Sequence, residues 1–236
     1  GMRASMDSQR VIASNMANAN TLGFRAEMLD QRAVTIEGQP NEARAMQRAS
    51  VRGADMAAGE TIATGRDLDV AVETDALIAV QAVDGTEAYT RRGDMSISAT
   101  GLLVNGEGRP VLGDNGPITI PPVGIPGIAP DGTVTIADPA TPDQPPAEVG
   151  RIKLASWEGS PIAKGLDGLF RVEGGGILPT DEEARVHTGK LEQSNVKPTE
   201  VLVAMIEEQR LFAMRSKLVS TARDLDESGA QLMRLT

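Results

Sequence analysis

The segment from Pro198 to Thr236, PTEVLVAMIEEQRLFAMRSKLVSTARDLDESGAQLMRLT, decides the architecture of this chain. Pro198 suits a first helical position, where its φ is already set and no backbone donor is lost. Val201, Leu202, Met205, Ile206, Phe212, Leu218, Val219, Ala222, Leu225, Leu232 and Leu235 then recur at helical spacings of three and four. No proline interrupts the run, and Gly229 is its only glycine. Glu200, Glu207 and Glu208 precede Arg210, Arg215 and Lys217, an order that suits i,i+4 pairs and the helix macrodipole. About 38 helical residues span about 57 Å at 1.5 Å per residue. A small β domain cannot cover that length, so much of the apolar stripe needs a partner elsewhere.

At the other end, residues 2–19 read as a second helix, with Met2, Met6, Ile12, Ala13 and Met16 on a broken three-to-four spacing. It should stop between Asn18 and Gly23, because Asn18, Asn20 and Gly23 all tolerate the left-handed backbone that ends helices. The two terminal helices are expected to pair as a coiled-coil-like stalk, since each has a stripe it cannot bury alone. Eighteen residues reach only about 27 Å, roughly half of the C-terminal helix. The expectation is therefore that the native N-terminus extends further, or that another subunit buries the distal helix. From there to about Arg66 the chain is polar and shows no sustained period.

From Asp67 to about Arg185 the signals become strand and turn. Leu68 to Val72 and Ala76 to Val83 are rich in alanine and β-branched residues, and Asp84-Gly85, Asn105-Gly106, Asn115-Gly116 and Asp131-Gly132 are turn pairs. Short apolar runs lie between those turns. Ten of the fourteen prolines fall between Pro110 and Pro146, which restricts that stretch to edge strands and loops, with an exposed loop at residues 137–147. A final strand pair is expected at Arg151 to Ser156 and Leu169 to Val172. The fold class is α+β. Residues 1–66 form the N-terminal helix and linker, 67–190 a many-stranded β domain, and 191–236 the C-terminal helix.

Composition narrows the function. The five aromatics, Phe24, Tyr89, Trp157, Phe170 and Phe212, leave little material for a sugar or peptide groove. That weighs against both a secreted hydrolase and a carbohydrate-binding module. The net charge of −10 resides in residues 67–150, which hold three arginines and thirteen acids. Such a surface does not suit nucleic acid, whose phosphates need clustered bases. There is no cysteine, hence no disulfide, thiolate metal site or cysteine nucleophile. No stretch approaches the roughly 20 apolar residues of a bilayer span, and no Sec-type signal is visible, so direct membrane insertion is not expected.

Specific motifs then point to a family. The run Ala13-Ser14-Asn15-Met16-Ala17-Asn18-Ala19-Asn20-Thr21-Leu22-Gly23-Phe24-Arg25 resembles the N-terminal signature of flagellar rod and hook proteins, an Asn-Leu-Ala-Asn core followed by Asn-Thr, Gly-Phe and a base. Met16 replaces the usual leucine, and Leu22 the usual small residue or proline. Leu191-Glu192-Gln193-Ser194-Asn195-Val196, with Met205-Ile206 and Gln209-Arg210, resembles the second signature of that family. Between them, Gly65 to Ala71, Tyr89 to Asp94, Gly101 to Val104 and Gly108 to Gly113 also match. The chain looks most like the proximal-rod members; distal-rod and hook members are the alternative. The resemblance implies a structural subunit, not an enzyme, exported through the flagellar type III apparatus to the basal body. It implies assembly with copies of itself and with other rod subunits, through terminal helices that form an inner tube.

The residues expected at the assembly interface are Asn15, Asn18, Asn20, Gly23, Phe24, Met205, Phe212, Leu218, Ala222, Leu225 and Leu232. For the first five, a helix end and its capping turn is the plainer role, and the two roles are compatible. No catalytic, cofactor or metal residue is expected. His187 is the single histidine and sits beside a charge run at Asp181, Glu182, Glu183 and Arg185. Gly174-Gly175-Gly176 lacks the Lys-Ser/Thr of a phosphate loop. Asp67 and Asp69 lack the loop spacing of an EF-hand, and strand alternation would place both on one solvated face.

Overall fold

The computed structural model describes residues 2–35, 45–73, 75–141 and 143–234. A helix, α1 (Met2–Ala17), opens the chain, and a second, α2 (Pro198–Arg234), closes it. Between them run β1 (Glu27–Thr35), β2 (Ala45–Ala54), β3 (Thr61–Ala63), β4 (Val70–Val72), β5 (Leu77–Gln81) and β6 (Glu87–Thr90). The next six are β7 (Met95–Ile97), β8 (Leu103–Asn105), β9 (Leu112–Gly113), β10 (Gly116–Pro117), β11 (Ile125–Ile128) and β12 (Thr133–Ala137). The last six are β13 (Ala147–Arg151), β14 (Leu154–Ala155), β15 (Ile162–Lys164), β16 (Phe170–Val172), β17 (Val186–Thr188) and β18 (Lys190–Glu192). The protein is thus mixed α and β, with many short strands between two helices.

Two compact units result. One consists of residues 1–17, 27–52 and 197–236, the other of residues 18–26 and 53–196. The first holds both helices and most of the two-stranded β1-β2 sheet. Its strands occupy the stretch in which the sequence shows no period. The second unit is β-rich. Its largest sheet has the order β14-β5-β6-β16-β15, and β11-β12-β13 forms a three-stranded antiparallel sheet. Residues 53–66 belong to this unit because β3 pairs with β18, Thr61 opposite Glu192 and Ala63 opposite Lys190.

Strand β5 explains how a core forms with so few aromatics. It is buried on both faces, and the two-residue alternation of a strand sends its side chains into two separate clusters. Ile78 and Val80 join Val70, Met95, Leu103, Val134, Ile152 and Leu154 on one side. Leu77 and Ala79 join Tyr89, Leu112, Phe170 and Leu178 on the other. Small aliphatic side chains fill two thin layers where large rings would overpack. The buried Tyr89 hydroxyl donates to Glu87 (2.7 Å) and accepts the Leu178 N–H (2.6 Å), and burial raises its pKa above the ordinary value.

Turn chemistry works where it was expected. Asp84-Gly85 joins β5 to β6, and Asp131-Gly132 joins β11 to β12, with both glycines at positive φ (81° and 86°). The pairing expected between residues 151–156 and 169–172 does not form. Leu154 pairs with Ile78 and Phe170 with Tyr89, so β5 and β6 separate the two segments. Local pattern marks strands but does not choose their partners.

Candidate assembly interface

In the helical unit α1 and α2 run antiparallel, and the Ser5 hydroxyl donates to the Glu208 carboxylate. Val201, Ala204, Glu208, Phe212 and Arg215, at helical spacings, are the more sheltered positions of α2. Arg215 stands 4.0 Å from Glu208. A cleft of about 210 Å³ between the helices is lined by Gln9, Ile12, Ala13, Met205, Glu208 and Gln209. Much of the apolar surface of α2 stays in solvent: Leu202, Val203, Met205, Ile206, Leu211, Met214 and Leu218 are all exposed. Of the α2 residues assigned to assembly, Leu218 is open at 65 %, Met205 lines the cleft, and Phe212 shares the sheltered face of Glu208. Ala222, Leu225 and Leu232 lie on the backbone of α2, and their side chains are outside the described residues.

Two of the three asparagines of the N-terminal signature, Asn15 and Asn18, are engaged within the chain. Asn15, only 9 % exposed, donates from Nδ2 to the Glu27 carbonyl (3.0 Å) and accepts the Glu27 N–H on Oδ1 (2.7 Å). Its amide thus serves β1 as a strand partner would. Asn18 ends the helix: its carbonyl accepts the Thr21 N–H and its Oδ1 the Thr21 hydroxyl, both at 3.1 Å. Asn20 is exposed. Gly23 has φ 64°, and a Cβ there would lie 2.5 Å from the Arg91 carbonyl carbon and the Arg92 nitrogen, so no other residue fits. The half-buried Phe24 ring lies under the Lys164 ammonium, 3.3 Å from its centroid, and Lys164 also donates to the Arg25 carbonyl (2.9 Å).

Beyond Phe24 lies the cluster that the sequence reading missed. Glu192, 3 % exposed, accepts from Arg25 Nη1 (2.6 Å), Arg91 Nε (2.7 Å) and the Gly59 N–H (2.8 Å). Arg91 also donates to the carbonyls of Val72 (2.8 Å) and Ala76. Burial pushes the Arg91 guanidinium below its ordinary pKa, and the neighbouring Glu192 charge opposes that shift. Three residues on, Asn195 Oδ1 accepts the Ala26 N–H (2.7 Å), while Nδ2 donates to the carbonyls of Asp55 (2.8 Å) and Ala57 (2.9 Å). The Gly23 N–H donates to the Glu192 carbonyl (2.8 Å). Two side chains of the second signature therefore bind together residues 23–26, residues 55–59 and the β core. The signal was present in sequence, as Arg25 after Gly-Phe and Glu192 and Asn195 inside the second signature. Only their meeting in space shows what they do.

The eleven expected interface residues are divided between the two units. Asn15 and the α2 positions belong to the helical unit, whereas Asn18, Asn20, Gly23 and Phe24 belong to the β-rich unit. The expectation that Asp67 and Asp69 share a solvated face is overturned. Asp67 is exposed, but Asp69 is 1 % exposed and neither carboxylate oxygen has a hydrogen-bond partner among the described residues, with Arg66 Nη1 3.6 Å away. Strand alternation does not apply there, because the Asp69 N–H bonds to the Arg66 carbonyl and closes a turn. His187 is half exposed, 3.8 Å from Glu73. Among the described residues no group of three or more His, Cys, Asp or Glu is placed to hold a metal ion, and no helix is long and apolar enough to cross a membrane.

Comparison with known proteins joins these features. Residues 187–232 match the family model "Flagellar basal body rod FlgEFG protein C-terminal", and residues 71–136 match "Flagellar hook protein FlgE/F/G D1 domain". The chain is 40% identical to the flagellar basal-body rod protein FlgF of Salmonella typhimurium strain LT2, over 98% of the chain and 94% of that protein. The same figures hold for FlgF of Escherichia coli K12. Similarity to FlgG of Bacillus subtilis strain 168 is lower, 30% over 99% of the chain and 96% of that protein.

Proposed function

Since the chain belongs to the flagellar basal-body rod protein family, we propose that it is a structural subunit of the proximal part of the bacterial flagellar rod. The single observation that carries this is 40% identity along almost the whole chain to two proteins named FlgF, against 30% to one named FlgG. A distal-rod or hook role is the alternative, and those percentages favour the proximal one. In this reading the subunit resides in the basal body, reaches it through the flagellar type III export apparatus, and contacts copies of itself and other rod proteins. The paired terminal helices serve as a coiled-coil-like stalk and the β-rich unit as the outer layer. The exposed leucines, methionines and isoleucine of α2 support an assembly role, because so much apolar surface on one helix is stable only when covered. A structural role also agrees with the names of the relatives, none of which denotes an enzyme.

The test is electron microscopy of basal bodies purified from cells whose only copy of this chain has a tag after Gln144, an exposed position between β12 and β13. Label at the rod, on its membrane-proximal side, is the expected result. Label at the hook, or intact rods without the chain, would refute the assignment.

A further inference from the structure

Two helix faces in this molecule complement each other but cannot meet within one copy. On α1, Met6, Arg10, Ala13 and Ala17 are all exposed and spaced four, three and four apart, with Ala13 also lining the cleft toward α2. On α2, Val203, Glu207, Leu211, Met214 and Leu218 fall within one flank, at spacings of four, four, three and four, and are exposed as well. The large apolar members are 43 to 65 % exposed. This flank is distinct from the sheltered face that includes Glu208, the partner of Ser5. Each face is apolar or small except for one charge, basic on α1 and acidic on α2. Neither Arg10 nor Glu207 has an ion pair among the described residues.

We infer that these faces form a lateral seam between two copies of this chain, α1 of one against α2 of the next, with Arg10 opposite Glu207. The inference rests on the rod reading and deepens it by naming the surfaces and the level at which they meet. Like the intramolecular pair, the seam is antiparallel when neighbouring subunits point the same way. With Arg10 set opposite Glu207, Met6 comes beside Leu211 and Ala13 beside Val203, so the large apolar side chain of this α1 face meets another. Because the two faces differ, the contact is heterologous and propagates around a ring or a shallow helix; an isologous contact would stop at two copies.

The chain has no native cysteine, so introduced thiols report the seam cleanly. Basal bodies are isolated from cells carrying Met6→Cys and Leu211→Cys, separately, as a mixture, and together in one chain, and are then mildly oxidised. The seam gives no disulfide with either single variant, a dimer with the mixture, and a ladder of multimers with the double variant. Charge reversal at Arg10→Glu or Glu207→Arg cuts the cross-linking yield by about fivefold or more, and the double exchange restores it. A dimer from Leu211→Cys alone overturns the seam in favour of an isologous contact. Rods that contain the chain but yield no disulfide with the mixture also overturn it. If the chain is missing from basal bodies altogether, the rod reading fails first and the seam with it.

Discussion

At Glu192 one carboxylate holds two buried guanidiniums and a backbone N–H. Removing one member of such a buried set leaves uncompensated charge and costs about 3–5 kcal/mol, far more than an exposed pair is worth. Glu192→Gln should therefore lower the stability of the β-rich unit by about that amount, read from chemical denaturation. A loss under about 1 kcal/mol would show that Arg25 and Arg91 find other partners. Asp131 and Asp167 act on a different variable. The Thr133 N–H and hydroxyl hold Asp131 below the usual carboxylate range, and Arg171 does the same for Asp167. A depressed folded pKa stabilises above the unfolded pKa, and the contribution is lost as pH falls through the folded value. The melting midpoint should hold steady down to about pH 5 and fall below about pH 4. Asp167→Asn should flatten part of that acid limb in calorimetry at successive pH values; an unchanged limb would remove Asp167 from the account.

Among the elements, α2 is the one whose sequence and surroundings disagree most. Up to Leu218 it places apolar side chains on the α1 side and on both flanks. A helix that served only its own fold would keep one stripe. Leu218, exposed at 65 %, separates the two purposes. Leu218→Asp should change subunit stability by no more than about 0.5 kcal/mol, as surface substitutions do. In the rod the same charge would be desolvated without a partner, so motility should fail. Differential scanning calorimetry of the subunit beside a swimming assay makes the comparison. A mutant that melts far below the parent would make Leu218 part of the fold, and normal swimming would show that it is not a packing surface. Phe212, on the sheltered face, should behave the opposite way, with Phe212→Ala lowering helix content in the isolated subunit.

For the molecule as a whole, the clasp residues Arg25, Arg91, Glu192 and Asn195 all lie in the β-rich unit of residues 18–26 and 53–196. That unit also contains both hydrophobic clusters, whereas α2 starts only at Pro198. We predict that a chain ending at Val196 keeps the cooperative melting of the β-rich unit, with a midpoint within about 4 °C of the full chain, the shift expected for about 1 kcal/mol. A broad or absent transition would show instead that α2 is required for the β fold. Hydrogen exchange on the full-length dilute subunit gives the same information locally: slow amides in β5, β6 and β14, faster ones in α1 and α2.

The sequence alone determined what depends on neighbours along the chain. The 3–4 periodicity after Pro198 and the asparagines before Gly23 set the extents of α2 and α1, and Asp84-Gly85 and Asp131-Gly132 set two hairpins, because helices and tight turns are local hydrogen-bonded structures. The quoted signatures likewise carried the family. What only the tertiary structure decided depends on distance through space. Strands β1 and β2 form where the sequence has no period, and β14 and β16 take β5 and β6 as partners in place of each other. Asp69 is buried although its pattern reads as solvated. Asn15, Gly23 and Phe24 turned out to be engaged with Glu27, Arg91 and Lys164. Arg25 and Glu192 are 167 positions apart, and no local pattern encodes that the two charges will share one dry site. A buried charge is tolerated only where its partner arrives, and that arrival is a property of the folded chain.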